Sequence, residues 1–136
     1  MKKIIYLLIL SLLLISCTES LDYEVIEESL VGNWSHMSYN DTIITLERVN
    51  NLPDDEYGIS FLDAGELLEW KNAGFCGTPP ISYTEEEGRW EFIADSVLEL
   101  HTTFWGGSID MEWRILELSS NQMKYYVQKQ VDLLID

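Results

Sequence analysis

The chain has 136 residues, 46% of them hydrophobic, and a formal net charge of −16 from 24 acidic and 8 basic side chains. That length suits one compact domain, and so acidic a body repels nucleic acid and anionic surfaces, which excludes a nucleic-acid partner. Plentiful aliphatic side chains and 12% aromatic ones argue against disorder despite the charge.

Lys2 and Lys3 open the chain, Ile4 to Leu14 is a nearly unbroken apolar run, and Leu14-Ile15-Ser16-Cys17 closes it. The run falls short of the roughly 20 apolar residues that a bilayer-spanning helix needs, and its flanks are those of a secretory signal. The close resembles the lipobox of bacterial lipoproteins. The resemblance implies a diacylglycerol on the Cys17 thiol, cleavage between Ser16 and Cys17, and acylation of the new amino terminus, with more than one chain giving stable anchoring. The alternative is an uncleaved signal anchor. Thr18 stands where aspartate would retain such a protein in the inner membrane, which implies the outer membrane as destination. Three segments follow: a signal peptide at 1–16, a lipidated cysteine and acidic tether at 17–29, and a folded domain at 30–136. Without Lys2 and Lys3 the mature formal charge is −18.

Leu30-Val31-Gly32-Asn33-Trp34 begins the folded body, and strand-compatible residues continue to Tyr39. Asn40-Asp41 signals a turn before a β-branched strand, Thr42 to Val49. After the break at 50–55, Tyr57, Ile59 and Phe61 alternate with small residues, the period of a half-buried strand. Asp63 to Glu66 turns into Leu67 to Lys71. A loop is expected from Asn72 to Tyr83, carrying Cys76 among turn formers. With Cys17 lipidated, Cys76 has no disulfide partner and is read as a structural thiol.

Arg89 to Ile93 is the next expected strand, with Trp90 and Phe92 on one face and the acidic run Glu85-Glu86-Glu87 leading into it. Ala94-Asp95-Ser96 turns into Val97 to Thr103, and Gly106-Gly107 breaks a hairpin. Ile109, Met111, Trp113 and Ile115 then share one face against Asp110, Glu112 and Arg114. A phase change at Leu116 and Leu118 predicts a bulge near Ile115-Leu116. Ser119 to Gln122 turns into Met123, Tyr125 and Val127, and Val131 to Ile135 is expected as a half-turn of helix or a frayed end. About eight strands joined by tight turns predict an all-β, antiparallel up-and-down meander closing into a barrel, with an open rolled β-sandwich as the alternative.

The body resembles the lipocalin-like domains of small bacterial lipoproteins. The resemblance rests on the Gly32-x-Trp34 opening, the Glu87-Gly88-Arg89-Trp90 entry, Trp113 to Ser119, and a final strand begun by Met123; it covers Leu30 to Lys129. It implies a lipocalin-like barrel that binds a small apolar or amphipathic ligand, and an arginine packed over the first tryptophan, for which Arg114 is the nearest candidate. Phe61, Trp70, Trp90, Trp113 and Tyr125 are the candidate ligand-lining residues, and a filled core is the competing expectation for the same rings. Trp105, at a hairpin tip, is a candidate partner contact.

No catalytic group is predicted. The nucleophile elbow, the zinc-protease helix pair and the phosphate-cradling loop are all missing, and Cys76 has neither His36 nor His101 tied to it by any local pattern. Asp54-Asp55-Glu56 and Glu85-Glu86-Glu87 lack the alternation and glycine of a calcium loop, and His36 with His101 has no third ligand. No metal and no cofactor are therefore expected. Two functions stay open: an envelope lipoprotein that binds a small amphipathic molecule, and a protein-interaction module with a filled core, acting as accessory subunit or inhibitor.

Overall fold

Alternating hydrophobic and polar residues become strands wherever one face finds a core to bury. The computed structural model describes residues 29–74 and 77–134. Eight strands run β1 (Gly32–Asn40), β2 (Ile43–Val49), β3 (Gly58–Phe61), β4 (Glu66–Asn72), β5 (Tyr83–Ala94), β6 (Val97–Phe104), β7 (Gly107–Leu118) and β8 (Gln122–Leu134), with one 3-10 turn at Asp63–Gly65. Every pairing is antiparallel, and the sheet closes into a barrel in the order β1-β2-β8-β7-β6-β5-β4-β3. The predicted all-β, eight-stranded antiparallel barrel is therefore the fold, and the open sandwich is set aside.

From β3 to β8 the chain is a plain meander. The opening differs, because β1 lies between β2 and β3 and the first hairpin is inserted in reverse order. The connection at 50–57 consequently crosses the outside of β1. Asn33 Nδ2 donates to the Asn50 carbonyl at 2.9 Å, Ser35 Oγ to the Tyr57 carbonyl at 2.6 Å, and Trp70 Nε1 to the Asp54 carbonyl at 3.3 Å. Ser35 and Ser60 thus lie on the outer face and are still buried, since the crossing loop covers them. Their hydroxyls are satisfied, as buried polar groups must be, Ser60 donating to Asn33 Oδ1 at 2.5 Å.

Two expectations fall at the strand ends. β5 begins at Tyr83, so Glu85, Glu86 and Glu87 belong to the sheet and pair with Trp70, Glu69 and Leu68. β8 runs to Leu134 as a strand and not as a helical end, because Gly107 to Glu112 offers it a full ladder from Leu134 back to Lys129. The expected irregularity of β7 is present, the register shifting between Ile115 and Glu117, and a second shift lies between Glu112 and Trp113.

The core is one cluster running from Leu30 and Trp34 through Phe61, Leu67, Trp90 and Leu98 to Trp113, Met123 and Tyr125. Its rings meet edge to face, Phe61 on Trp90 at 5.7 Å and on Trp113 at 6.3 Å, while Trp113 stacks on Tyr125 at 3.9 Å. Such contacts add about 1 kcal/mol each beyond burial.

Candidate functional site

Arg48 and Leu30 close one end of the barrel, and partly buried Met37, Ile44, Tyr57 and Met111 border the core at the other. At the closed end Leu30 is buried and its carbonyl accepts the Trp34 indole N–H at 2.8 Å. The Arg48 guanidinium of β2 lies 4.3 Å over the Trp34 ring and donates to the carbonyls of Val31, at 2.8 Å, and Ser29. Burial holds the Arg48 pKa below its ordinary value. The arginine over the first tryptophan is therefore Arg48. Arg114, the expected candidate, is on the outer face of β7 and reaches the Asp95 carbonyl at 3.1 Å and Gln128.

Midway up the interior the alternation of β4 inserts a carboxylate. Leu67 points inward, so Glu69 does too, and it is only 4% exposed. It accepts from Tyr57 Oη at 2.9 Å, Lys71 Nζ at 2.5 Å and Thr102 Oγ1 at 2.9 Å. Lys71 also donates to Thr102 Oγ1 at 3.2 Å. Reaching from β4 to β6 requires passing β5, and the inward residue there is Gly88, which pairs with Leu67 and Thr102. A Cβ on Gly88 would lie 2.4 Å from the His101 carbonyl oxygen, so glycine is what lets the three strands close on one another. The result is a polar plug with its acceptor fully supplied. In sequence a lone glutamate in a strand looks like solvated surface, and its position in phase with Leu67 is the one signal that it is buried.

Above the plug lies that other end of the barrel. Tyr57 and Tyr125 both have phenol pKa values pushed upward, by burial first and by the nearby Glu69 charge. Met37, Ile44 and Met111 pack at the core's upper margin, and Tyr39 reaches the Met37 sulfur at 3.2 Å.

Of the five candidate ligand-lining residues, Phe61, Trp90, Trp113 and Tyr125 are interior and buried. Trp90 is committed to structure, its indole N–H shared between the Glu66 carbonyl at 2.7 Å and the Leu62 carbonyl at 3.2 Å, which closes the β3–β4 turn. Trp113 Nε1 is buried without an acceptor among the described residues. Trp70 is a correction: it alternates with Leu67 and Glu69, so it faces outward against the crossing loop. Cys17 and Cys76 lie outside the described residues.

His36 pairs with Glu56 at 2.7 Å and His101 with Asp110, on separate parts of the surface. Among the described residues no group of three His, Cys, Asp or Glu side chains is placed to hold a metal ion.

Away from this core one strand edge is left open among the described residues. β2 pairs with β8 only from Gln122 to Tyr125, whereas β7 accompanies β8 to Leu134. β7 and β8 therefore run on beyond the end of β2, to a tip at the β6–β7 turn. Among the described residues no strand lies beside Tyr126–Leu134 on the side away from β7. The tip carries Trp105, 59% exposed and edge-on to Phe104, together with exposed Leu133 and Leu134. Gly107, at φ +152°, sets the tip's turn against the Leu133 carbonyl, where a Cβ would lie 2.0 Å away.

The class this geometry defines is a closed, eight-stranded antiparallel β-barrel with an aromatic core and one open strand edge on β8 among the described residues. Compared with family models, curated proteins and solved structures, the chain matches none of them.

Proposed function

We propose that this chain is a lipid-anchored envelope protein, carried on Cys17 and directed to the outer membrane, whose barrel is a protein-interaction module working through the open edge of β8 and the β6–β7 turn beside it. One observation carries it. Packed rings and the Glu69 plug occupy the interior, while among the described residues exposed apolar side chains and unpaired backbone groups gather along β8 and the β6–β7 turn. Apolar surface of that kind on an otherwise acidic protein marks a contact site. Crosslinking in intact cells followed by isolation of the full chain should recover a stoichiometric protein partner, and Trp105→Ser with Leu133→Ser should lose it. Retention of every partner by that double variant would overturn the proposal.

The address is tested separately. Cys17→Ser should accumulate as an unprocessed precursor without lipid label; normal processing and labelling would refute the anchor.

A second function has its own support. Among the described residues the Trp113 indole N–H lacks an acceptor, and Lys71 donates to Glu69 and Thr102, with partly buried Met37, Tyr57 and Met111 at the margin of the core. A small amphipathic molecule with an acidic or carbonyl head fits those donors. Native mass spectrometry of the chain purified without denaturant decides between the two. A bare mass favours the interaction module, and an added mass removed by organic solvent favours the ligand carrier.

A further inference from the structure

We infer that the free edge of β8 pairs antiparallel with the same edge of a second copy of this chain, joining two barrels through one continuous sheet. This rests on the interaction-module function and names its partner. An exposed strand edge is a template for another strand, and proteins usually protect it with charge, a bulge or a covering segment. Among the described residues the protection is incomplete. Gln128 is the extra residue of the bulge facing Glu112 and Trp113, and beyond it Lys129 to Leu134 is regular ladder. The one lysine of that stretch lies back on its own sheet, Nζ 2.7 Å from Glu112, and Glu112 also accepts from Gln128 at 2.9 Å.

The occupant follows from the residues themselves. Tyr126–Leu134 contains one Lys and one Asp, so a protein of net charge −16 presents a strip of zero formal charge here. Opposed residues in an antiparallel pair share a face. On β8 the outer face holds Lys129, Val131 and Leu133, paired to Glu112, Asp110 and Ser108 of β7, and the inner face holds Gln130 and Asp132, paired to Met111 and Ile109.

A two-fold axis through Val131 then sets Val131 against its copy. It also sets Lys129 against Leu133 of the second copy, with the lysine stem over the leucine, and Gln130 against Asp132. Gln130 already donates to Asp132 within one strand at 3.1 Å, so the bond need only move across the axis. No like charges oppose one another. Asp110 of each copy is tied to His101, and the two aspartates stand three strand spacings apart, about 14 Å, beyond the Debye length of about 8 Å at physiological salt.

The test places a benzoylphenylalanine photocrosslinker at position 131 of the full chain in the producing cells. An adduct of twice the chain mass is the expected result. An adduct only at another mass overturns self-pairing while leaving the interaction module standing. No adduct overturns both. In parallel, the detergent-solubilised full chain should be dimeric by native mass spectrometry, and Val131→Lys, which sets two ammonium groups face to face at an exposed position, should be monomeric with an unchanged far-ultraviolet dichroism spectrum. A dimer that survives Val131→Lys overturns the assigned axis.

Discussion

Arg48 and Trp34, on neighbouring strands, close one end of the barrel with a single contact, a guanidinium centred 4.3 Å from an indole. The same arginine gathers the carbonyls of Val31 and Ser29, so it fixes the chain's entry into β1 as well as the ring beneath it. Arg48→Met should lower stability by about 3 kcal/mol, the sum of a desolvated cation–π contact and charge-assisted hydrogen bonds. Arg48→Lys should recover only part of this, because an ammonium cannot lie flat on the ring and fork to two carbonyls. Urea unfolding followed by tryptophan fluorescence measures both.

Gly88 and Thr102 are paired across β5 and β6 in the part of the barrel where Glu69 crosses. Gly88→Ala drives a methyl into the His101 carbonyl, which is backbone and cannot swing away. A loss of about 3 kcal/mol is expected from such overpacking. If the variant matches the parent in urea, the close approach of β4, β5 and β6 is not what holds the plug.

The plug itself makes a prediction through its asymmetry. Lys71→Met leaves the buried Glu69 carboxylate with hydroxyl donors alone and should cost about 3 kcal/mol, whereas Glu69→Leu combined with Lys71→Met should lie within about 1 kcal/mol of the parent. A double-mutant cycle reads the coupling directly. Additive single losses would show that the two groups do not act as a pair.

Alkaline pH should unfold the protein for a reason that is local to two phenols. Tyr57 and Tyr125 have folded-state pKa values above the ordinary phenol value. Their contribution is therefore complete below about pH 10, the unfolded value, and is lost as pH rises above it. Each phenol that must ionise on unfolding steepens the decline by up to about 1.4 kcal/mol per pH unit. Of the 7 tyrosines, these two should stay protonated in a spectrophotometric titration until the fold is lost. Tyr57→Phe should reduce the slope above pH 10; an unchanged slope would remove Tyr57 from the account.

Local alternation carried most of the architecture. Ile109, Met111, Trp113 and Ile115 against Asp110, Glu112 and Arg114 set the face of β7 without any tertiary information, since a strand's two faces separate by residue parity alone. The bulge near Ile115 was legible for the same reason, as parity failing. Glycine pairs and Asn-Asp marked the turns because backbone sterics are local.

Partner choice was not legible. Trp70 looks like core by hydrophobicity, yet parity with Leu67 turns it out and Glu69 in, and a buried carboxylate is tolerable only because the closed sheet brings Tyr57 and Thr102 to it beside Lys71 of its own strand. Arg48 rather than Arg114 covers Trp34 because the register of the β1–β2 hairpin sets the two residues directly opposite each other, and that register includes a shift between Ser35 and Ser38 that alternation alone does not encode. Val131 to Leu134 is too short a stretch to declare itself strand or helix, and the ladder of β7 decided it. The sequence alone determined that this chain is a run of alternating antiparallel strands, because burial by parity is a one-dimensional rule, while closure into a barrel over an open sandwich came from the pairing of β2 with β8. Tertiary structure decided which polar groups that barrel encloses and which edge it leaves open, because hydrogen-bond partners distant in sequence meet only once the sheet has closed.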